Sequence, residues 1–114
     1  MANYQNRTTD YSPEKSIDLS EIRIGIAVSE WNSEITESLC SGAIDTLTNH
    51  GCQKSNIVRA NVPGSFELSL ACQRLAKDKD IDLVLALGCV IQGETPHFTF
   101  ICDAVANGIT RVGL

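Results

Sequence analysis

Three short apolar segments of this chain are separated by stretches in which apolar residues recur at helical spacing, which predicts alternating strands and helices. The first strand has an apolar residue at every second position: Ile22, Ile24, Ile26 and Val28. A second strand is predicted over residues 57–62, and a third contains the longest apolar run of the chain, residues 83–87. A continuous apolar run favours a parallel strand that is buried on both faces, so we expect the third strand in the middle of the sheet.

Each strand is followed by a predicted helix. Asn32 or Ser33 can cap the first helix, and its apolar stripe is expected at Ile35, Leu39, Ala43 and Leu47. The second helix has the stripe Leu68, Ala71, Cys72, Leu75 and Ala76. Thr95 and Pro96 predict the start of the third helix, which is expected to run toward Gly108. Residues 111–114 are then expected to begin a fourth strand.

This order of elements predicts an α/β fold, a flavodoxin-like three-layer α/β/α domain with a parallel sheet and right-handed crossovers. Residues 1–20 are polar and lack either periodicity, so we expect a flexible N-terminal arm before a domain over residues 21–114. A fourth strand and the helices after it cannot be completed before Leu114. The domain is therefore expected to be incomplete at its C-terminus.

Charge and cysteine content narrow the possible partners. The 9 Lys and Arg residues against 14 Asp and Glu residues give a net charge of −5, which argues against nucleic acid but leaves room for a local phosphate site. The cysteines are odd in number and lack metal-type spacing, so no metal is expected and a reduced, cytoplasmic setting fits them best. No apolar run approaches the roughly 18 residues that cross a bilayer, so no membrane partner is expected.

The candidate chemistry lies in the three turns that follow the strands, because ligands of an open parallel sheet bind beyond the carboxyl ends of its strands. In the third turn, the backbone at Gly93, Glu94 and Thr95 precedes a helix, where free N–H groups favour an anion such as phosphate. His97 would lie beside that anion and could exchange protons near neutral pH. A structural glycine and a solvated surface histidine are the alternatives.

The first two turns also hold unusual residues. Trp31 is the only tryptophan and stands in a polar turn, where its indole could stack on a planar heterocycle or cover the end of the helix layer. Glu67 falls in the first turn of the second helix, where the helix dipole stabilises any carboxylate. Its functional alternative is to accept hydrogen bonds from sugar hydroxyls.

Taken together, the three turns resemble the lumazine synthases of riboflavin biosynthesis. The motifs are W-N-x-x-I-T from Trp31, V-P-G-S-F-E from Val62 and L-G-C-V-I-Q-G-E-T-P-H-F from Leu87, in the order and spacing of that family. Gln92 stands where many members have arginine, and Trp31 where phenylalanine is also common. The resemblance covers about residues 22–114.

The resemblance implies a transferase that condenses 5-amino-6-(D-ribitylamino)uracil with 3,4-dihydroxy-2-butanone 4-phosphate and releases phosphate and water, without metal or organic cofactor. His97 would be the catalytic acid and base, and Gly93, Glu94 and Thr95 would bind the phosphate. The residues implied for the ribitylaminouracil are Trp31, Ser65, Phe66, Glu67, Cys89, Val90 and Ile91. It further implies a homopentamer or a larger shell, with each site lying between adjacent subunits.

One alternative remains open at this point, and a second is disfavoured by the sequence. Family members continue with a strand and two helices that supply a further aromatic residue, a phosphate-binding arginine and a lysine, so the alternative is a weakly active or inactive fragment that binds ligand or self-assembles. A phosphorelay receiver of similar topology would need an aspartate after the third strand, where Gly88 and Cys89 stand instead.

Overall fold

The computed structural model describes residues 17–114, so most of the predicted arm lies outside the described residues. In chain order the elements are β1 (Ile24–Ser29), α1 (Ser33–Asn49), β2 (Ile57–Val62), α2 (Leu68–Ala76), β3 (Leu83–Leu87) and α3 (His97–Gly113), with short 3₁₀ turns at Lys54–Asn56 and Ser65–Glu67. The three predicted strands and three predicted helices are therefore all present.

The strands form a parallel sheet in the order β2-β1-β3. Ile24 of β1 lies between Ile57 of β2 and Leu83 of β3, and the register continues along the strands. This order is that of the flavodoxin-like fold, so the predicted fold class is confirmed. The expectation that β3 is the middle strand is wrong for the described sheet: β1 is central, and each of its residues is buried. The apolar run in β3 reflects helices on both faces of the sheet, which is independent of the number of neighbouring strands.

Two apolar clusters fill the space on either side of the sheet. The cluster against α1 contains Ile24, Ile26, Val28, Cys40 and Cys52. The cluster against α2 and α3 contains Ala27, Leu68, Ala71 and Cys72, with Ile109 and Val112 of α3 packed onto it. The domain thus has the predicted three layers. Among the described residues, no helix combines the length and apolarity that a bilayer crossing requires.

The buried face of α1 differs from the predicted stripe. Thr36 and Cys40 are buried, whereas 46% of Ile35 and 44% of Leu39 is exposed. A stripe at strict four-residue spacing turns around a helix of 3.6 residues per turn by about 40° at each step, so its first and last members cannot face the same core. The first turn of α1 consequently presents apolar side chains to the outside.

Helix α3 is longer than predicted. It continues through Arg111 and Val112 to Gly113, so the expectation of a fourth strand at residues 111–114 is wrong. Gly108 does not end the helix but lies against Ser69 of α2, where an added Cβ would stand 2.9 Å from the Cβ of Ser69. The glycine allows the two helices to approach, and the helix then carries Val112 into the core.

Candidate functional site

The three turns beyond the strands are joined to one another at one edge of the sheet. The N–H of Glu30 donates to the carbonyl of Val62 at 2.8 Å, and the N–H of Trp31 donates to that of Pro63 at 2.9 Å, which ties the first turn to the second. The hydroxyl of Ser65 donates to the carbonyl of Cys89 at 3.2 Å and ties the second turn to the third. The turns therefore meet as a parallel sheet of this connectivity predicts.

A cavity of about 200 Å³ opens where the turns meet. Its lining residues are Trp31, Asn32, Ser65, Phe66, Cys89, Val90, Ile91, His97 and Ile101. All but Asn32 and Ile101 are among the residues proposed from the sequence. Asn32 directly follows Trp31, and Ile101 lies one helical turn after His97 on the same side of α3. Their proximity to those two predicted site residues could have identified both from the sequence.

Trp31 forms one side of this cavity. Its side chain is 64% exposed, yet the indole is held against the second turn, where an added Cβ on Gly64 would lie 2.7 Å from Cε3 of the ring. A large, exposed and positioned aromatic surface is suited to stacking on a flat heterocycle. The indole therefore packs against the second turn, a contact that neither alternative from the sequence included.

Asn32 sends the chain from this tryptophan into α1. It adopts a left-handed conformation with φ of 62°, which asparagine tolerates better than most residues. Its carbonyl accepts hydrogen bonds from the N–H groups of Ile35 and Thr36, while its side chain makes no capping bond. Asn32 thus lines the cavity, and its side chain has no role in capping the helix.

Glu67 is not among the residues that line the cavity. Its Oε2 accepts a hydrogen bond from the N–H of Gly64 at 3.0 Å, and its own N–H donates to the carbonyl of Gly64 at 3.2 Å. The carboxylate thus caps the N–H of Gly64, as one half of a capping box does, while the backbone bond closes the 3₁₀ turn at Ser65–Glu67 next to Trp31. Glu67 therefore stabilises the second turn through its own side chain. Its contact with sugar hydroxyls stays a prediction.

The predicted phosphate-binding residues Gly93, Glu94 and Thr95 are exposed and do not line the cavity. They lie in the irregular segment between β3 and α3, and an added Cβ on Gly93 would meet no atom within 4 Å. Packing thus does not explain a glycine at this position. Thr95 Oγ1 accepts a hydrogen bond from the N–H of His97 at 3.4 Å, so one of the free amides at the start of α3 is already engaged.

His97 begins α3 and lines the cavity together with Ile101. The same small volume is therefore bordered by an indole, an imidazole and the irregular third turn. Such an arrangement can bind a flat molecule against the aromatic ring and exchange protons with it through the imidazole.

The family model and the relatives that this chain matches have the same name. Residues 21–114 match the family model described as 6,7-dimethyl-8-ribityllumazine synthase. The chain is 54% identical over 114 residues to the protein of that name from Cytophaga hutchinsonii, an alignment that covers 100% of this chain and 71% of the relative. It is 50% identical over 111 residues to the Parabacteroides distasonis protein, covering 97% of this chain and 69% of the relative. For the Porphyromonas gingivalis protein the identity is 47% over 114 residues, with coverage of 100% and 71%.

Proposed function

From the premise that the chain belongs to the 6,7-dimethyl-8-ribityllumazine synthase family, we infer that it catalyses the transferase reaction of that family in riboflavin biosynthesis. The reaction condenses 5-amino-6-(D-ribitylamino)uracil with 3,4-dihydroxy-2-butanone 4-phosphate. Its products are 6,7-dimethyl-8-ribityllumazine, phosphate and water. The observation that carries the inference is one cavity lined by residues from all three family motifs.

We propose a binding mode for the ribitylaminouracil from the residues that line the cavity and from the neighbouring Glu67. The pyrimidine ring stacks on Trp31, and its edge meets Cys89, Val90 and Ile91. Ser65, the backbone of Phe66 and Glu67 provide polar partners for the ribityl chain. Support comes from the exposed indole on one side of the cavity and the third turn on another.

The four-carbon substrate brings a phosphate, which we place on the backbone of Gly93, Glu94 and Thr95. These residues are exposed and precede the N-terminus of α3, where a helix dipole favours an anion. The phosphate would then lie next to His97, on the side that faces away from the cavity.

His97 is the proposed acid and base of the reaction. Attack of the pyrimidine amine on the ketone carbonyl, loss of water, elimination of phosphate and ring closure each require a proton to move, and the imidazole at the cavity can donate or accept it. General acid–base catalysis contributes about 10²–10⁴-fold, and oriented proximity of two substrates contributes roughly 7–11 kcal/mol. Holding the substrates in register therefore accounts for most of the acceleration.

We also propose a homopentamer or a larger shell as the assembly, with each site completed by a neighbouring subunit. Ile35 of α1 and Ile91 of the third turn are exposed and line a second pocket with Asn32, which also lines the cavity. Leu39, also exposed, lies one helical turn after Ile35, and the neighbouring subunit would cover all three apolar residues. A cytoplasmic setting is proposed from the cysteines, which are all free thiols.

The activity is tested by mixing the two substrates with the protein and following both lumazine absorbance and phosphate release. His97→Ala should lower kcat by about 10²–10⁴-fold. The matched control is His50→Ala, because the other histidine of the chain lies at the end of α1, outside the cavity, and should leave the rate unchanged.

Three results would contradict these assignments. A pH–rate profile that is identical for His97→Ala and the unchanged protein would remove His97 from the mechanism. Binding of the lumazine without turnover would favour the alternative of a ligand-binding or self-assembling fragment. Absence of both binding and turnover would refute the proposed function.

A further inference from the structure

Three small residues meet beneath the cavity, one from the end of each strand region. Ser29 ends β1, Ser65 begins the turn after β2, and Gly88 follows β3. An added Cβ on Gly88 would stand 2.7 Å from Oγ of Ser65 and 3.4 Å from Oγ of Ser29. Ser29 and Ser65 are only 1% and 6% exposed. The junction is therefore closely packed and has no room for a larger side chain at Gly88.

The hydroxyl of Ser65 points from this junction to the third turn, where it donates to the carbonyl of Cys89 at 3.2 Å. A serine hydroxyl has one proton, so this bond occupies its donor function and leaves only acceptor capacity for a ligand. Residues 88–95 belong to neither strand nor helix, so tertiary contacts of this kind determine where their backbone lies.

We propose that Ser65 is a positioning residue whose hydroxyl holds the backbone of Cys89 and thereby sets the cavity wall formed by Cys89, Val90 and Ile91. The inference rests on the proposed function, because that wall is where the pyrimidine edge is placed. This role through the third turn is additional to the proposed contact with the ribityl chain, because the bonded hydroxyl can still accept a hydrogen bond from a ligand. Ser65→Ala removes the donor with little change in volume and leaves the carbonyl of Cys89 without this partner.

The first measurement is hydrogen–deuterium exchange of the ligand-free protein. Ser65→Ala should raise deuterium uptake in the peptide that contains residues 88–91, whereas uptake in β1 should stay unchanged. Ser69→Ala is the matched control, because Ser69 is a half-buried serine of α2 outside the cavity. It should leave uptake at residues 88–91 as in the unchanged protein.

The second measurement is steady-state kinetics with each substrate varied in turn. Ser65→Ala should raise the KM for 5-amino-6-(D-ribitylamino)uracil about 10-fold, as expected for a lost buried hydrogen bond, and leave the KM for the four-carbon phosphate close to its original value. A purely structural loss would instead reduce the active fraction, which lowers kcat and changes neither KM. Circular dichroism shows whether the variant is folded.

Unchanged deuterium uptake with a raised KM would overturn the proposal, because the loss of affinity would then come from the direct contact of Ser65 with the substrate alone. Raised uptake with an unchanged KM would also overturn it, since the wall would then not depend on the bond. If the unchanged protein neither binds 6,7-dimethyl-8-ribityllumazine nor forms it, the proposed function fails. In that case, hydrogen–deuterium exchange of the ligand-free protein still measures the effect of the Ser65 hydroxyl on the third turn, so the two failures can be distinguished.

Discussion

Trp31 lies directly against Gly64, so closely that an added Cβ on Gly64 would stand 2.7 Å from Cε3 and 2.9 Å from Cζ3 of the indole. Gly64 has φ of −136°, an extended conformation that other residues adopt, so its backbone does not require glycine. The requirement comes from the indole. A glycine in the second turn thus determines where the exposed aromatic residue of the first turn can lie.

Gly64→Ala should displace Trp31 and destabilise the protein by about 1–3 kcal/mol, the usual range for overpacking a buried position. The matched control is Gly42→Ala, because Gly42 lies within α1 and an added Cβ there meets no atom within 4 Å. That change should stabilise the helix by roughly 0.5–1 kcal/mol. Denaturant unfolding gives both values, and a shift of tryptophan emission should accompany only the first change. Equal stabilisation by the two alanines would contradict the contact.

Trp31→Ala should weaken binding of 6,7-dimethyl-8-ribityllumazine by about 10-fold or more, because the ring surface available for stacking is lost. Since 64% of Trp31 is exposed, the free energy of unfolding should change far less than for a buried tryptophan. Trp31→Phe retains an aromatic face and should lose only part of the affinity. Isothermal titration measures the three affinities. Equal binding by all three proteins would exclude stacking on this residue.

Glu67→Ala should destabilise the protein by about 1 kcal/mol, since it removes the acceptor that holds the N–H of Gly64. Glu67→Gln keeps an oxygen at the same place and should retain most of the stability. Thermal unfolding of the two variants compares the effects. A loss in Glu67→Gln as large as that in Glu67→Ala would mean that the negative charge, rather than the hydrogen bond, stabilises the second turn.

The cysteines should divide into two groups by reactivity. Cys40, Cys52 and Cys72 are buried, whereas Cys89 and Cys102 are half-buried. A maleimide at about pH 8 should therefore label the last two in the folded protein and all five only after unfolding. Mass spectrometry of digested samples identifies the sites. Rapid labelling of Cys72 in the folded protein would contradict its position in the core.

Cys72 should also make the stability of the protein decrease at alkaline pH. Burial raises the pKa of the Cys72 thiol above its ordinary value of 9.0. The stability linked to this protonated thiol is fully present below the ordinary pKa and is lost as the pH rises through the raised one. Cys72→Ala should consequently reduce the loss of stability on the alkaline side of pH 9, as followed by unfolding at a series of pH values.

The elements of the fold could be predicted from the sequence because each depends on local spacing of apolar residues. The alternation around Ile24 and the apolar run at residues 83–87 both correspond to strands. The buried face of α1 could not be placed to within one residue, since adjacent stripes such as Ile35–Leu39 and Thr36–Cys40 differ only in which one meets the sheet. Gly108 likewise resembles a helix end until its contact with Ser69 of α2 is known.

The location of the candidate site could be predicted from the sequence, but the directions of its side chains could not. Residues of the three motifs line one cavity because parallel strands bring their following turns to one edge, which connectivity alone requires. The sequence does not indicate that Glu67 turns its carboxylate to Gly64, or that the Ser65 hydroxyl turns to Cys89. Those directions depend on which hydrogen-bond partner lies nearest after folding.

By itself, therefore, the sequence determined the kinds of element, the family and the edge of the sheet where chemistry belongs, since these follow from periodicity and motifs within short segments. The tertiary structure alone decided that β1 is the central described strand, that α3 extends to Gly113, and that Gly64 and Gly88 are required by close neighbours. The physical reason is that strand order, helix approach and side-chain direction arise from contacts between residues far apart in the chain. The local spacing of apolar residues and motifs does not specify those contacts.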